Sequence, residues 1–154
     1  MTRRDALAGL GLLSLVAPML RLRCAEGAQL PGTPAPADVR AAIESTIRTA
    51  IARLEARDLN GVLLHVSEQY RTEDVTKAVL RQQLDALFSL YDALRVQLRV
   101  DLMTAVGDTA WIWSTGQLSG RLPGIGAWIP TFTWEQQPEA ARRENGSWRL
   151  YGLQ

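Results

Sequence analysis

Few side chains of this 154-residue chain have the type and spacing that catalysis requires. His65 is the only histidine, and no second histidine, cysteine or carboxylate stands at the spacing of a metal-ligand set. No Gly-x-Ser-x-Gly motif marks a serine nucleophile. The sequence therefore predicts neither a metal centre nor a serine-hydrolase triad, and we expect the protein to work without a cofactor. His65 is assigned to the surface or to a helix end.

Acid–base chemistry at a carboxyl group is the remaining catalytic option. The strand-forming regions contain the carboxylates Asp101 and Glu135, and Tyr70 could supply a phenolic proton at the mouth of a pocket. Asp101 alternates with apolar residues and is predicted to point away from them. No pair of a tyrosine and an acid stands out. Tyr70, Asp101 and Glu135 are therefore the catalytic candidates of an alternative, enzymatic function.

The first half of the chain has the apolar spacing of three amphipathic helices. Asp38 and Asp58 are predicted to cap the first two helices, and Thr72 is predicted to begin the third. The predicted buried face of the third helix consists of Val75, Val79, Leu80, Leu84, Leu87, Phe88 and Tyr91.

From Leu94 onward apolar residues recur at every second position, which is typical of a strand. Further strands are predicted over residues 109–119, 128–136 and 147–154. A loop is predicted over residues 121–127 and a connection over residues 138–143. Helices followed by antiparallel strands indicate an α+β domain.

Gly107-Asp108 has the composition of a two-residue hairpin turn, and such a turn sets the register of the strands on either side. The predicted pairs are Leu102–Trp113, Val100–Thr115 and Leu98–Gln117. A one-residue change would turn every side chain to the other face. The face predicted to meet the helices carries Trp111, Trp113, Thr115 and Gln117. The outer face is predicted to carry Arg95, Arg99, Asp101, Met103, Ile112 and Leu118.

Residues 38–154 resemble the NTF2-like superfamily, which includes SnoaL-like proteins. The resemblance lies in the order of elements and in two short motifs, Gly107-Asp108-Thr109-Ala110 and Gly146-x-Trp148-Arg149-Leu150. It implies a cone in which three N-terminal helices pack in the hollow of a curved antiparallel sheet. Members of this superfamily include isomerases, dehydratases, epoxide hydrolases, transport adaptors and binding modules, so the fold alone does not give the activity.

We expect the hollow to bind a small apolar or aromatic ligand, or a protein partner, without catalysis. The predicted ligand-binding residues are Phe88, Tyr91, Trp113, Thr115, Gln117, Trp134 and Trp148. One alternative is a cofactor-free isomerase or dehydratase. Another is a structural accessory subunit that forms a homodimer through the outer sheet face. The chain has 17 basic and 16 acidic residues without a basic stripe, so no nucleic-acid partner is expected.

Residues 1–28 resemble a twin-arginine signal peptide, with Arg3-Arg4 before a mildly apolar run. This predicts a bacterial protein that is exported to the periplasm or secreted, and whose only membrane contact is export. Leu22-Arg23 does not suit a lipid anchor at Cys24. Because Cys24 is the only cysteine, no internal disulfide can form. Residues 29–37 are predicted to be a proline-rich linker.

Overall fold

The computed structural model describes residues 31–153. The predicted signal peptide over residues 1–28 and Cys24 lie outside the described residues. The elements are β1 (Thr33–Pro34), α1 (Ala37–Glu55), α2 (Leu59–Leu63), β2 (Arg71–Thr72), β3 (Val75–Thr76), α3 (Lys77–Leu90), β4 (Ala93–Val106), β5 (Thr109–Arg121), β6 (Trp128–Glu144) and β7 (Ser147–Leu150). Within residues 31–153, no helix has the length and apolar character to span a membrane.

A curved antiparallel sheet in the order β1-β4-β5-β6-β7 forms one wall of the domain, and β2 and β3 pair separately. The helices bury apolar residues such as Ile43, Leu54 and Leu84 against the sheet. The predicted α+β class is therefore confirmed. Within the predicted linker, Thr33 and Pro34 form an edge strand beside Ala105 and Thr104 of β4.

The helix ends show which capping predictions hold. Asp58 caps α2 as predicted, because its Oδ1 accepts a hydrogen bond from the amide of Gly61 at 2.9 Å. Asp38 lies in the first turn of α1 instead of capping it. The predicted start of the third helix at Thr72 is wrong. Residues 71–76 form the β2–β3 hairpin, and α3 begins at Lys77 with Thr76 as its N-cap.

The register of β4 and β5 changes at a β-bulge. Leu102 lies opposite Trp113 as predicted, but Asp101 is an extra residue, so Val100 lies opposite Ser114 and Leu98 opposite Gly116. The predicted pairs Val100–Thr115 and Leu98–Gln117 are therefore wrong.

The bulge reverses the predicted faces of β5. Ile112, Ser114 and Leu118 are buried toward the helices, and Trp111, Trp113, Thr115 and Gln117 lie on the outer face. Met103, Ile112 and Leu118, predicted to lie outside, are each no more than 3% exposed. A charge placed at Met103 or Ile112 would therefore disrupt the core and could not test the predicted dimer surface.

Strand β6 contains a second bulge at Glu135-Gln136, where Gln136 has a φ of 46°. Trp134 lies opposite Gly116 and Gln137 opposite Ser114, so two residues of β6 stand against one residue of β5. The predicted end of this strand at Gln136 is wrong, because pairing continues to Glu144. The extra residue places both Trp134 and Glu139 on the side that faces the helices.

Thr115 joins the two bulges across the outer face. Its hydroxyl donates to Asp101 Oδ2 and accepts a hydrogen bond from the amide of Gln136 at 3.1 Å. Thr115→Val is expected to lower the free energy of unfolding by about 1 kcal/mol through loss of the bond from Gln136. Urea denaturation measures this change. Thr133→Val, on the outer face of β6, is the matched control, and an equal loss in both variants would contradict the role of Thr115.

Candidate active site

A small apolar cavity lies between the three helices and the sheet, where the two clusters of the hydrophobic core meet. Its volume is about 30 Å³, room for roughly two water molecules. Its walls are aliphatic apart from one hydroxyl and one carboxyl group. The lining residues are Ile47, Ala50, Ile51, Leu54, Val62, Leu80, Leu84, Val96, Leu98, Ile112, Ser114, Glu139 and Leu150.

Glu139 is the ionisable residue of this cavity wall, and it is only 1% exposed. It stands on β6 opposite Ile112 of β5. Its Oε1 accepts hydrogen bonds from the amides of Gly152 at 3.0 Å and Ala140 at 3.2 Å. Its Oε2 has no hydrogen-bond partner among the described residues. One oxygen is therefore held in place by two amides, while the other is buried without a hydrogen-bond partner among residues 31–153.

Burial raises the pKa of Glu139 to about 8, although the two backbone hydrogen bonds from Gly152 and Ala140 lower it in part. At neutral pH the side chain is therefore mostly the uncharged acid, which can donate a proton. Buried carboxyl groups with such a pKa occur at catalytic sites, where they act as proton donors and acceptors near neutral pH.

Ser114 supplies the second polar group of the cavity. Its Oγ accepts a hydrogen bond from the indole Nε1 of Trp134 at 3.1 Å. A hydroxyl that accepts one bond still has its own proton to donate. A Cβ on Gly116 would overlap the Trp134 ring, so glycine at this position lets the indole reach Ser114. Ser114 can therefore donate to a polar oxygen of a ligand.

The C-terminal segment completes the site, because the amide of Gly152 is one of the two that hold Glu139. The neighbouring bonds run from the Arg71 amide to the Tyr151 carbonyl at 3.2 Å and from the Leu153 amide to Thr72 Oγ1 at 3.0 Å. Gly152 has a φ of 82°, and a Cβ there would overlap the carbonyl of Arg71.

Gly152→Ala is expected to destabilise the fold by about 2 kcal/mol, because it combines an unfavourable φ with this overlap. Thermal unfolding measures the loss. Gly146→Ala is the matched control, since Gly146 has a similar φ of 81° but open space around a Cβ. Equal losses would show that backbone strain alone, without the packing of Gly152 against residue 71, explains the effect.

The predicted ligand-binding residues do not line this cavity. Trp113, Thr115 and Gln117 lie on the outer face, so their assignment to the hollow is wrong because of the bulge at Asp101. The other four are buried in the core: Phe88, Tyr91, Trp134 and Trp148. Of these, Trp134 contacts the site through Ser114.

The predicted catalytic candidates also lie elsewhere. Tyr70 is buried in the core outside the cavity lining, and Glu135 is exposed at the bulge of β6. Asp101 lies on the outer side of the sheet, where hydrogen bonds from Thr115 and Arg99 lower its pKa. These positions do not bring the three residues together at the cavity.

His65 is half-buried, and its pKa is lowered by burial and by the charges of Arg53 and Arg149. Residues 31–153 contain no cluster of three or more His, Cys, Asp or Glu side chains that could hold a metal ion. The chemistry available at the cavity is therefore that of the carboxyl group of Glu139 and the hydroxyl group of Ser114.

The sequence matches no protein-family profile and no curated protein. Solved structures do match its fold. A proposed dehydratase from the NTF2-like family of Streptomyces avermitilis superposes with a TM-score of 0.61 at 11% identity, over 76% of this chain and 94% of that one. A proposed scytalone dehydratase from Novosphingobium aromaticivorans superposes with a TM-score of 0.61 at 10% identity. The match covers 73% of this chain and 79% of that one.

The structure of Bd1075 from Bdellovibrio bacteriovorus superposes with a TM-score of 0.60 at 9% identity. The match covers 75% of this chain but only 40% of the length of Bd1075. At such low identities these similarities concern the fold alone. The predicted resemblance in fold to NTF2-like proteins is confirmed.

Proposed function

We propose that this chain, which has the NTF2-like fold, is a cofactor-free enzyme that eliminates water from a small aliphatic hydroxy-carbonyl compound. The observation that carries the proposal is Glu139, a buried acid whose Oε2 has no partner at the wall of an apolar cavity. An unpaired polar atom in such a place is unfavourable for folding, which favours a role in function.

The proposed reaction needs one group that acts first as a general acid and then as a general base toward the substrate. The C–O bond of the substrate breaks as the Oε2 proton of Glu139 passes to the leaving hydroxyl, which departs as water. The neighbouring C–H bond breaks as its proton passes to the carboxylate, and its electron pair forms the double bond. Glu139 is thereby restored as the acid. The hydroxyl of Ser114 donates a hydrogen bond to the substrate carbonyl oxygen as charge develops there.

Two matching structures bear the name of a dehydratase, and this supports the choice of elimination among acid–base reactions. These two structures are similar to this chain in fold alone, so the choice of an aliphatic substrate depends on the lining and size of the cavity. An aliphatic lining suits an aliphatic substrate, in contrast to the aromatic ligand that the sequence led us to consider. The small volume of the cavity suits a slender molecule and requires movement of its walls on binding.

Binding without catalysis is the second candidate function. It is favoured by the observation that Glu139 is the only titratable residue among the described residues that line the cavity. In this case the acid would serve only as a hydrogen-bond donor to a neutral ligand. The two functions differ in one measurable property, which is whether elimination needs a proton from residue 139.

The test is a comparison of Glu139→Gln with Glu135→Gln in assays of aliphatic 3-hydroxy ketones. Loss of product in the first variant alone would support the enzyme. Binding of the ketones without turnover by the wild-type protein would instead favour the second candidate.

We also propose that the protein is exported through the leader over residues 1–28 and acts in the periplasm or outside the cell. Assembly as a homodimer through the outer sheet face stays a proposal as well. That face carries Trp111, Trp113 and Leu102, in place of the Met103 and Ile112 of the predicted surface.

A further inference from the structure

An open groove adjoins the cavity between α1 and the edge of β4. Its volume is about 260 Å³, and its lining residues are Glu44, Ile47, Arg48, Ile51, Leu98 and Val100. Three of these, Ile47, Ile51 and Leu98, also line the cavity beside Glu139. The same three side chains therefore separate the groove from the space beside Glu139.

Among residues 31–153, no strand covers the part of β4 on which the groove lies, since β1 pairs only with Thr104 and Ala105. Glu55 ties α1 to the exposed edge of β4 by accepting a hydrogen bond from the amide of Val96 at 2.8 Å. The chain before α1 is tied to β4 by the bond from the Ala35 amide to the Met103 carbonyl at 3.0 Å. The groove lies between these two attachments, where α1 and β4 meet through side chains.

The charges at the groove favour an anion. Arg48 is exposed and forms no hydrogen bond or ion pair within residues 31–153. The carboxylate of Glu44 is already engaged by Arg40 Nε at 2.8 Å, which offsets its repulsion of an anionic ligand. A guanidinium group can bind a carboxylate through two parallel hydrogen bonds. Arg48 is therefore the free charge of the groove.

We infer that the ligand is an aliphatic carboxylate whose carboxylate group binds Arg48 in the groove and whose chain passes between Ile47, Ile51 and Leu98 into the cavity. This inference rests on the proposed function, because the oxygenated carbons of the chain would then lie beside Glu139. The walls that such a chain meets are aliphatic both at Ile47, Ile51 and Leu98 and over most of the cavity.

Titration calorimetry with octanoate and 1-octanol tests the inference on the wild-type protein. The two probes share a chain length and differ in charge. Octanoate is expected to bind up to about fivefold more tightly, with an advantage that falls as salt is added. In Arg48→Gln the advantage is expected to disappear, while 1-octanol binds as before. Arg53→Gln is the control, because it removes the same charge from α1 outside the groove.

Three outcomes would overturn the inference: no binding of either probe, equal binding of both by the wild-type protein, or an octanoate preference that survives in Arg48→Gln. The measurement does not depend on turnover. An octanoate preference lost only in Arg48→Gln would support the inference even if Glu139→Gln retained full elimination activity, a result that would contradict the proposed function alone.

Discussion

Replacing Glu139 by Gln is expected to lower the rate of elimination at least about 100-fold, the size of effect that loss of a general acid typically has. Glutamine has the shape of the neutral acid, so its Oε1 can still accept the hydrogen bonds from Ala140 and Gly152. It has no acidic proton to give. Folding and ligand binding should therefore be retained while turnover is lost. The ultraviolet absorbance of the conjugated ketone product measures the rate.

Glu135→Gln is the control for this experiment, because it removes a carboxylate from the same strand at an exposed position outside the cavity. Its activity should equal that of the wild-type protein. The pH profile adds a second readout. Wild-type turnover should fall as pH rises through about 8, where Glu139 loses its proton. An active Glu139→Gln variant with an unchanged profile would exclude Glu139 as the proton donor.

The stability of the wild-type protein is expected to decrease as pH rises from about 4.5 to about 8. The pKa of Glu139 is raised from 4.5 to about 8 in the folded state, so the folded protein binds more protons than the unfolded chain in this interval. The free energy of unfolding therefore falls with increasing pH. The change attributable to this residue is on the order of 4 kcal/mol, taking about 1.4 kcal/mol for each pH unit.

Urea denaturation at a series of pH values measures this dependence, and Glu139→Gln isolates the contribution of one group. The variant has no titrating side chain at this position, so its stability should change much less between these pH values. It should also be more stable than the wild-type protein at pH 8. Parallel curves for the two proteins would show that the pKa of Glu139 is close to its ordinary value, and would remove the electrostatic basis of the proposed acid.

The sequence by itself determined the class of fold and most of its elements. Apolar spacing predicted the helices that became α1 and α2, and the alternation from Leu94 onward predicted β4. The Gly107-Asp108 turn was correct, and it placed Leu102 opposite Trp113. These features depend on local preferences and on turns of two residues, which short stretches of sequence encode directly.

The inward position of Glu139 can be predicted from the sequence. Asn145-Gly146 forms a turn with both φ values positive, 51° and 81°, and such a two-residue turn pairs Ala141 with Leu150. A buried Leu150 places Ala141 on the inner face, and alternation then places Glu139 there as well. The sequence pattern over residues 138–143 predicts a connection instead of a strand, and Glu139 is therefore absent from the predicted site.

Only the tertiary structure decided which residues of β5 face the helices. The bulge at Asp101 is stabilised by Thr115, and the same hydroxyl holds Gln136 at the bulge of β6. These contacts join side chains and backbone that stand 14 and 21 residues apart on three strands, so no local pattern could reveal them. Because side chains alternate along a strand, one extra residue moved Trp113 out of the hollow and Ser114 into it.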